Sequence, residues 1–235
     1  MGLHSQAGTL LTTLYHFWWS SDSQRVRLAL GYKGIVYEDR PIAFDDDETF
    51  FALGVARSVP VLKHDDGLME TDSVTILKNL DYRWPDRPIA RNLLTEDTWG
   101  SLLAWRRSAD TLIARLHAPV LPAYRGIGDN EQAMAAYKAE VVRDFGVSIE
   151  ELSNDRYGAF GQLMQVTHLR ELAVRLARDR FYLGSPSAAD MLLAADLFPL
   201  QLLDGVTLPI DLMYYIQRVE DTCQISLREG LFAAP

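Results

Sequence analysis

The pattern of apolar and polar positions divides the chain into two unlike parts. From Thr9 to Phe17 the residues are rich in Leu, Thr, Tyr and Phe and predict a strand, which stops at the polar cluster Ser20-Ser21-Asp22-Ser23. Val26, Leu28, Leu30 and Tyr32 then give a helix with a largely apolar face, ended by Gly34. Ile35 to Glu38 reads as a second strand and Asp47 to Leu53 as a short helix. Val59 to Lys63 and Leu68 to Glu70 form a hairpin turning at Asp65-Asp66-Gly67. Thr71-Asp72-Ser73 caps a helix carrying Val74, Ile76, Leu77 and Leu80. The order βαβαββα predicts a mixed sheet covered by helices, ending near Trp84.

Pro85 and Pro88 interrupt helical hydrogen bonding and mark a linker over residues 85–92. Everything beyond it reads helical. Trp99, Leu102, Leu103 and Trp105 open one amphipathic helix, Met134, Tyr137, Val141 and Phe145 a second, and Leu169, Leu172, Val174 and Leu176 a third. Ser187-Ala188-Ala189-Asp190 has capping-box spacing, and the apolar run Met191 to Leu203 behind it predicts a helix buried nearly all round. The expected fold is therefore α/β plus all-α: residues 1–84, a linker, and a helical bundle over 93–235.

Composition narrows the chemistry. With 235 residues, 48% of them hydrophobic, the chain is long enough for two cores. Its net charge of -9 provides no basic stripe for phosphates, so nucleic acid is not an expected partner. The one cysteine, Cys223, rules out an internal disulfide, a CxxC pair and a thiolate zinc site, and no metal is expected. The first residues lack the pattern of a secretory signal, and no apolar run approaches the roughly 18 residues of a membrane span. The expectation is a cytoplasmic protein without a membrane partner.

Four local features resemble the cytosolic glutathione transferases of the serine type, the zeta class most closely. Leu14-Tyr15 with Ser20-Ser21-Asp22-Ser23-Gln24-Arg25-Val26-Arg27 resembles the first strand and helix. Ser58-Val59-Pro60-Val61-Leu62 resembles the cis-proline loop, Asp72-Ser73-Val74-Thr75-Ile76-Leu77 the Glu/Gln-Ser-x-Ala-Ile motif, and Ser187 to Asp190 the capping box of the helical domain. The resemblance implies a thioredoxin-like glutathione-binding domain, a helical domain shaping a second substrate site, and a homodimer. It puts Ser20 at the catalytic position, donating to the glutathione sulfur, with its neighbour Ser21 as the rival. Val59 would pair with the cysteinyl part of glutathione like an added strand, and a cis Pro60 would keep its backbone groups exposed. Asp72 and Ser73 at a helix start would receive the γ-glutamyl end, as they would equally serve as an ordinary cap. Arg57 either meets the glycyl carboxylate or is a solvated surface arginine. Trp18 and Trp19 either line the second pocket or pack between domains, and Trp105 is a further candidate to contact an apolar electrophile.

Two departures from the pattern shape the expectation. Asp22 stands where the zeta class carries a cysteine, and is expected in the first helical turn, pointing to solvent. The zeta isomerase holds its dicarboxylate substrate with an arginine after the capping box, yet Met191 to Gln217 contains no Lys or Arg, which argues against maleylacetoacetate isomerase. The leading expectation is an enzyme adding the glutathione thiolate to an apolar electrophile. A non-catalytic binding module of the same fold is the alternative; an omega-type thiol oxidoreductase would need a cysteine at the first helix, where Ser20, Ser21 and Asp22 stand.

Overall fold

In the computed structural model, which describes residues 12–232, four short strands form one sheet of order β2-β1-β3-β4. β1 (Thr13–His16) pairs in parallel with β2 (Glu38–Pro41) and antiparallel with β3 (Val61–Lys63), which pairs antiparallel with β4 (Met69–Glu70). The register sets Leu14 opposite Leu62, both fully buried, and so commits one face of the sheet to the core. Around the sheet lie α1 (Ser21–Lys33), α2 (Asp47–Leu53) and α3 (Ser73–Arg83), giving the expected order βαβαββα. The part of the first predicted strand before Thr12 lies outside the described residues.

β2 begins three residues later than its apolar pattern suggests. The cause is the end of α1: Gly34 adopts φ 67°, and the Ile35 N–H turns back 3.0 Å to the Leu30 carbonyl. This is the 6→1 bond of a Schellman ending, which holds Ile35 on the helix and delays the ladder. One turn earlier, Gly31 lets α1 approach the end of the last helix. A Cβ there would stand 2.4 Å from the Cys223 carbonyl oxygen, so any side chain would force the two apart.

The helical part comprises α4 (Glu96–His117), α5 (Glu131–Phe145), α6 (Ile149–Asn154), α7 (Arg156–Val166), α8 (Leu169–Asp179), α9 (Ala188–Leu197) and α10 (Ile210–Cys223). Every residue of α9 is buried, as its largely apolar run predicts, because α1 covers it on one side and α4 and α10 on others. Its N-terminus is fixed by Asp190, which accepts from the Ser187 N–H and hydroxyl at 2.9 Å each and from Tyr215 at 2.8 Å. Burial pushes the Asp190 pKa up against these donors.

The segment from Pro85 to Asn92 is tethered rather than free. The buried carboxylate of Asp81 accepts the N–H groups of Ile89, Ala90 and Arg91 at 2.7–3.1 Å, and the Lys33 ammonium at 2.8 Å. Burial works against the Asp81 charge, but Lys33 and the three N–H groups outweigh it and hold its pKa below the usual carboxylate value. Ile89 in turn accepts the Ala188 N–H at 2.8 Å, joining the segment to the start of α9.

Candidate functional site

α1 and α9 carry the contact between the two parts of the chain, and the first turn of α1 borders a cleft that faces α4 and α5. Ser20 is the N-cap of α1, with its Oγ accepting the Ser23 N–H at 3.2 Å. An oxygen that accepts with a lone pair retains its own proton for another acceptor, so capping and donation are compatible in Ser20. Ser21 is arranged differently: its hydroxyl donates to the Ala195 carbonyl of α9 at 3.1 Å. Ser20 is half-buried; its neighbours Trp19, Ser21 and Asp22 line the cleft.

Asp22 corrects the expectation that it points to solvent. It does lie in the first turn of α1, but its Oδ1 crosses to α3 and accepts the Ser73 hydroxyl at 2.6 Å and Arg25 Nη1 at 2.5 Å. The reason is geometric: the buried Ser73 at the start of α3 and Arg25 one turn along α1 both aim donors at it. About half of the Asp22 side chain, 47%, stays exposed. Asp72, the N-cap of α3, is exposed and accepts the Thr75 N–H at 2.7 Å. The Val59–Pro60 peptide is cis, as expected, with Pro60 buried and Val59 half-buried. Ser58 is exposed, its N–H turned back to the Ala56 carbonyl at 2.7 Å. Among the described residues no hydrogen bond engages the Val59 backbone.

Arg57 is bound within the protein. It donates to Asp47 at 2.8 Å and to the Phe44 carbonyl, lies 3.8 Å from Glu140 of α5, and stacks over Phe44 at 4.7 Å. The aromatic candidates separate. Trp19, stacked on Phe17 at 4.6 Å, lines the cleft, whereas Trp18 packs beneath Arg27 at 4.5 Å and against His16. Trp105 belongs to a different cavity between α4 and α8, its indole N–H held by the Thr167 carbonyl at 3.0 Å.

The cleft encloses about 270 Å³ between Trp19, Ser21 and Asp22 on one side and α4 and α5 on the other, where Arg106, His117, Tyr137 and Phe145 contribute. Beneath it lies a buried charge chain that sequence reasoning missed. Asp196, fully buried in α9, accepts from Arg25 at 2.8 Å and from Arg106 at 3.1 Å. Arg106 also pairs with Asp110. Burial disfavours the Arg25 charge, but Asp196 and Asp22 more than compensate and raise its pKa. His117 lies against the Asp196 carbonyl at 3.2 Å, and burial pulls its pKa down to about 4, so it is neutral at pH 7. The signal for this chain was an acid inside an otherwise apolar helical run, since a buried Asp requires a cationic partner.

Residues 14–88 match the family model described as glutathione S-transferase, N-terminal domain. This first part of the chain is thus similar to the N-terminal domain of glutathione S-transferases. It is 26% identical over 183 residues to the maleylacetoacetate isomerase of Pseudomonas aeruginosa, covering 72% of this chain and 82% of that protein. Further relatives named as maleylacetoacetate isomerases or glutathione S-transferases reach 33–37% identity, over 35–59% of their own length. Among solved structures, glutaredoxin 2 from Salmonella typhimurium in complex with glutathione superposes with a TM-score of 0.77 at 20% identity, covering 92% of this chain and 96% of that one. A maleyl pyruvate isomerase described as a bacterial zeta-class glutathione S-transferase gives 0.58 at 21% identity, covering 93% and 96%. At those identities the superpositions establish the fold, a thioredoxin-like domain followed by helices.

Cys223, the one cysteine, is buried at the end of α10, far along the chain from α1, and burial raises its pKa to about 12. Among the described residues no group of His, Cys, Asp and Glu is placed to hold a metal, and no helix is long and apolar enough to cross a membrane.

Proposed function

We propose that the chain is a glutathione-dependent transferase that activates the glutathione thiol and adds the thiolate to an apolar electrophile held in the cleft beside α4 and α5. The observation that carries this reading is the state of Ser20. Its Oγ takes the capping bond from Ser23 and keeps its proton to donate to sulfur, while Ser21 has given its proton to Ala195. A hydrogen bond to the charged form of a thiol lowers its pKa, and the N-terminus of α1 favours negative charge at the same place. Val59 would pair with the cysteinyl backbone, and Asp72 and Ser73 at the start of α3 would receive the γ-glutamyl end. Arg57 and Ser58 would meet the glycyl end, although Arg57 is already engaged by Asp47.

The named relatives support glutathione-dependent transferase or isomerase chemistry as the broader class. Two features favour conjugation over isomerisation of a dicarboxylate. Trp19, Tyr137 and Phe145 give the cleft an apolar wall, and its arginine, Arg106, is neutralised by Asp196 and Asp110. Turnover of a neutral aryl halide with glutathione, together with retention on immobilised glutathione, tests the reading; retention without turnover would support a binding module. Association as a homodimer belongs to the same proposal, and light scattering at micromolar concentration tests it.

A further inference from the structure

The Ser73 hydroxyl, on which the proposed glutathione site depends, is already occupied. Its proton goes to Asp22 Oδ1 at 2.6 Å, and the same oxygen receives Arg25 Nη1 at 2.5 Å, with Nη1 also 3.3 Å from Ser73 Oγ. A carboxylate held by a serine hydroxyl at a helix start and by a guanidinium is what a γ-glutamyl α-carboxylate would present there. A hydroxyl has a single proton and cannot donate to both.

Resting on the reading of Ser73 as a γ-glutamyl ligand, we infer that the Asp22 carboxylate is an internal stand-in for the α-carboxylate of glutathione, and that it must leave Ser73 before the tripeptide binds. The surroundings allow the exchange. Ser73 and Arg25 are both buried, and Arg25 is anchored from behind by Asp196 at 2.8 Å, so the two donors stay in place. Asp22 is half exposed, on the first turn of α1, and can turn into water without opening the core. Asp22 also lines the cleft, so its departure puts the displaced charge on the wall facing the second substrate. Asp22 is therefore a residue that sets glutathione affinity by competition. Simple electrostatic attraction of the glutathione ammonium to Asp22 would predict the opposite sign, and that contrast makes the inference testable.

The experiment is calorimetric titration of the full chain with S-methylglutathione, and with an analogue in which 4-aminobutyrate replaces the γ-glutamyl residue and so lacks the α-carboxylate. Wild type, Asp22→Ala and Asp22→Asn are compared, with thermal melts to confirm folding. Asp22→Ala is expected to bind S-methylglutathione about tenfold tighter than wild type, because a charge-assisted hydrogen bond no longer has to be broken. Asp22→Asn, which keeps a weaker acceptor, is expected between the two. The analogue is expected to bind all three proteins alike. Unchanged or weaker binding of S-methylglutathione in both variants would overturn the inference, as would equal tightening for the analogue. Absence of binding by all three proteins would instead overturn the glutathione reading itself, and the inference with it.

Discussion

Ser21 donates its hydroxyl to the carbonyl oxygen of Ala195, 3.1 Å away and 174 positions later, so the first turn of α1 is bonded directly to the buried helix of the other half of the chain. The side-chain oxygen of the neighbouring Ser20 accepts within its own turn, from the Ser23 N–H. Adjacent serines thus make different bonds, one joining the two halves and one closing the first turn of α1. Ser20→Ala is expected to reduce conjugation about tenfold to a thousandfold, the usual effect of removing one donor from developing anionic charge. Ser21→Ala is expected to keep turnover and lose about 1 kcal/mol of stability, the net worth of one hydrogen bond. Steady-state kinetics and urea melts of both variants check the assignment.

Asp196 provides a sharper test of what holds the halves together. Asp196→Ala leaves Arg25, almost wholly buried, facing Asp22 alone, and strips Arg106 of its inner partner. Breaking a buried pair from one side costs about 3–5 kcal/mol. Urea unfolding should show a loss on that scale, and a loss under about 1 kcal/mol would mean that water reaches Arg25 in the folded protein.

The Asp81 carboxylate holds three N–H groups of the segment after α3 as well as Lys33. Asp81→Ala removes the acceptor of three amides at once and leaves the Lys33 ammonium with the Asp86 and Arg87 carbonyls but no counter-charge. A loss of about 3 kcal/mol or more is expected, with faster amide exchange and proteolysis confined first to residues 85–92. Hydrogen-exchange mass spectrometry reads the location directly. Because the folded pKa of Asp81 is depressed, its contribution is present at neutral pH and is lost as acid protonates the carboxylate.

His117 acts on stability in a different pH window. Its folded pKa is about 4, against 6.5 for the free side chain, so below pH 6.5 the unfolded chain takes up a proton that the folded one refuses. Stability should therefore fall from about pH 6.5 towards pH 4, by about 2 kcal/mol at pH 5 and about 3 kcal/mol in full. His117→Gln should flatten this part of the curve. Denaturant melts of both proteins at pH 7, 6 and 5 give the comparison, and parallel curves would refute the assignment.

The order of the first elements was readable because key boundaries have a local chemical cause: Gly34 ends α1 and Asp72 caps α3. β2 was misplaced because the helix ending after Gly34 retains Ile35, an effect of hydrogen bonding across five residues that an apolar pattern does not record. The helices α6, α7 and α10 were covered only by the general helical reading. At the site, the Val59–Pro60 geometry and the capping positions of Ser20, Asp72 and Ser187 followed from motif and spacing. The direction of Asp22 did not, since it depends on Ser73, 51 residues away, and Arg25 turning the same oxygen inward. Trp105 looked equivalent to Trp19 in composition, but its place on α4 faces Thr167 and α8 rather than the cleft.

The burial of Cys223 has a practical consequence for a protein proposed to handle thiol-seeking compounds. With its thiol pKa near 12 and its side chain buried at the end of α10, the one cysteine of the chain is neither ionised nor reachable at neutral pH. An alkylating reagent offered as a substrate would find no competing nucleophile of this kind on the folded protein, so loss of signal in such an assay would report glutathione consumption rather than self-labelling. The same reagent becomes a counter of opened molecules: one alkyl group per chain appears only when the burial of Cys223 at the end of α10 is lost.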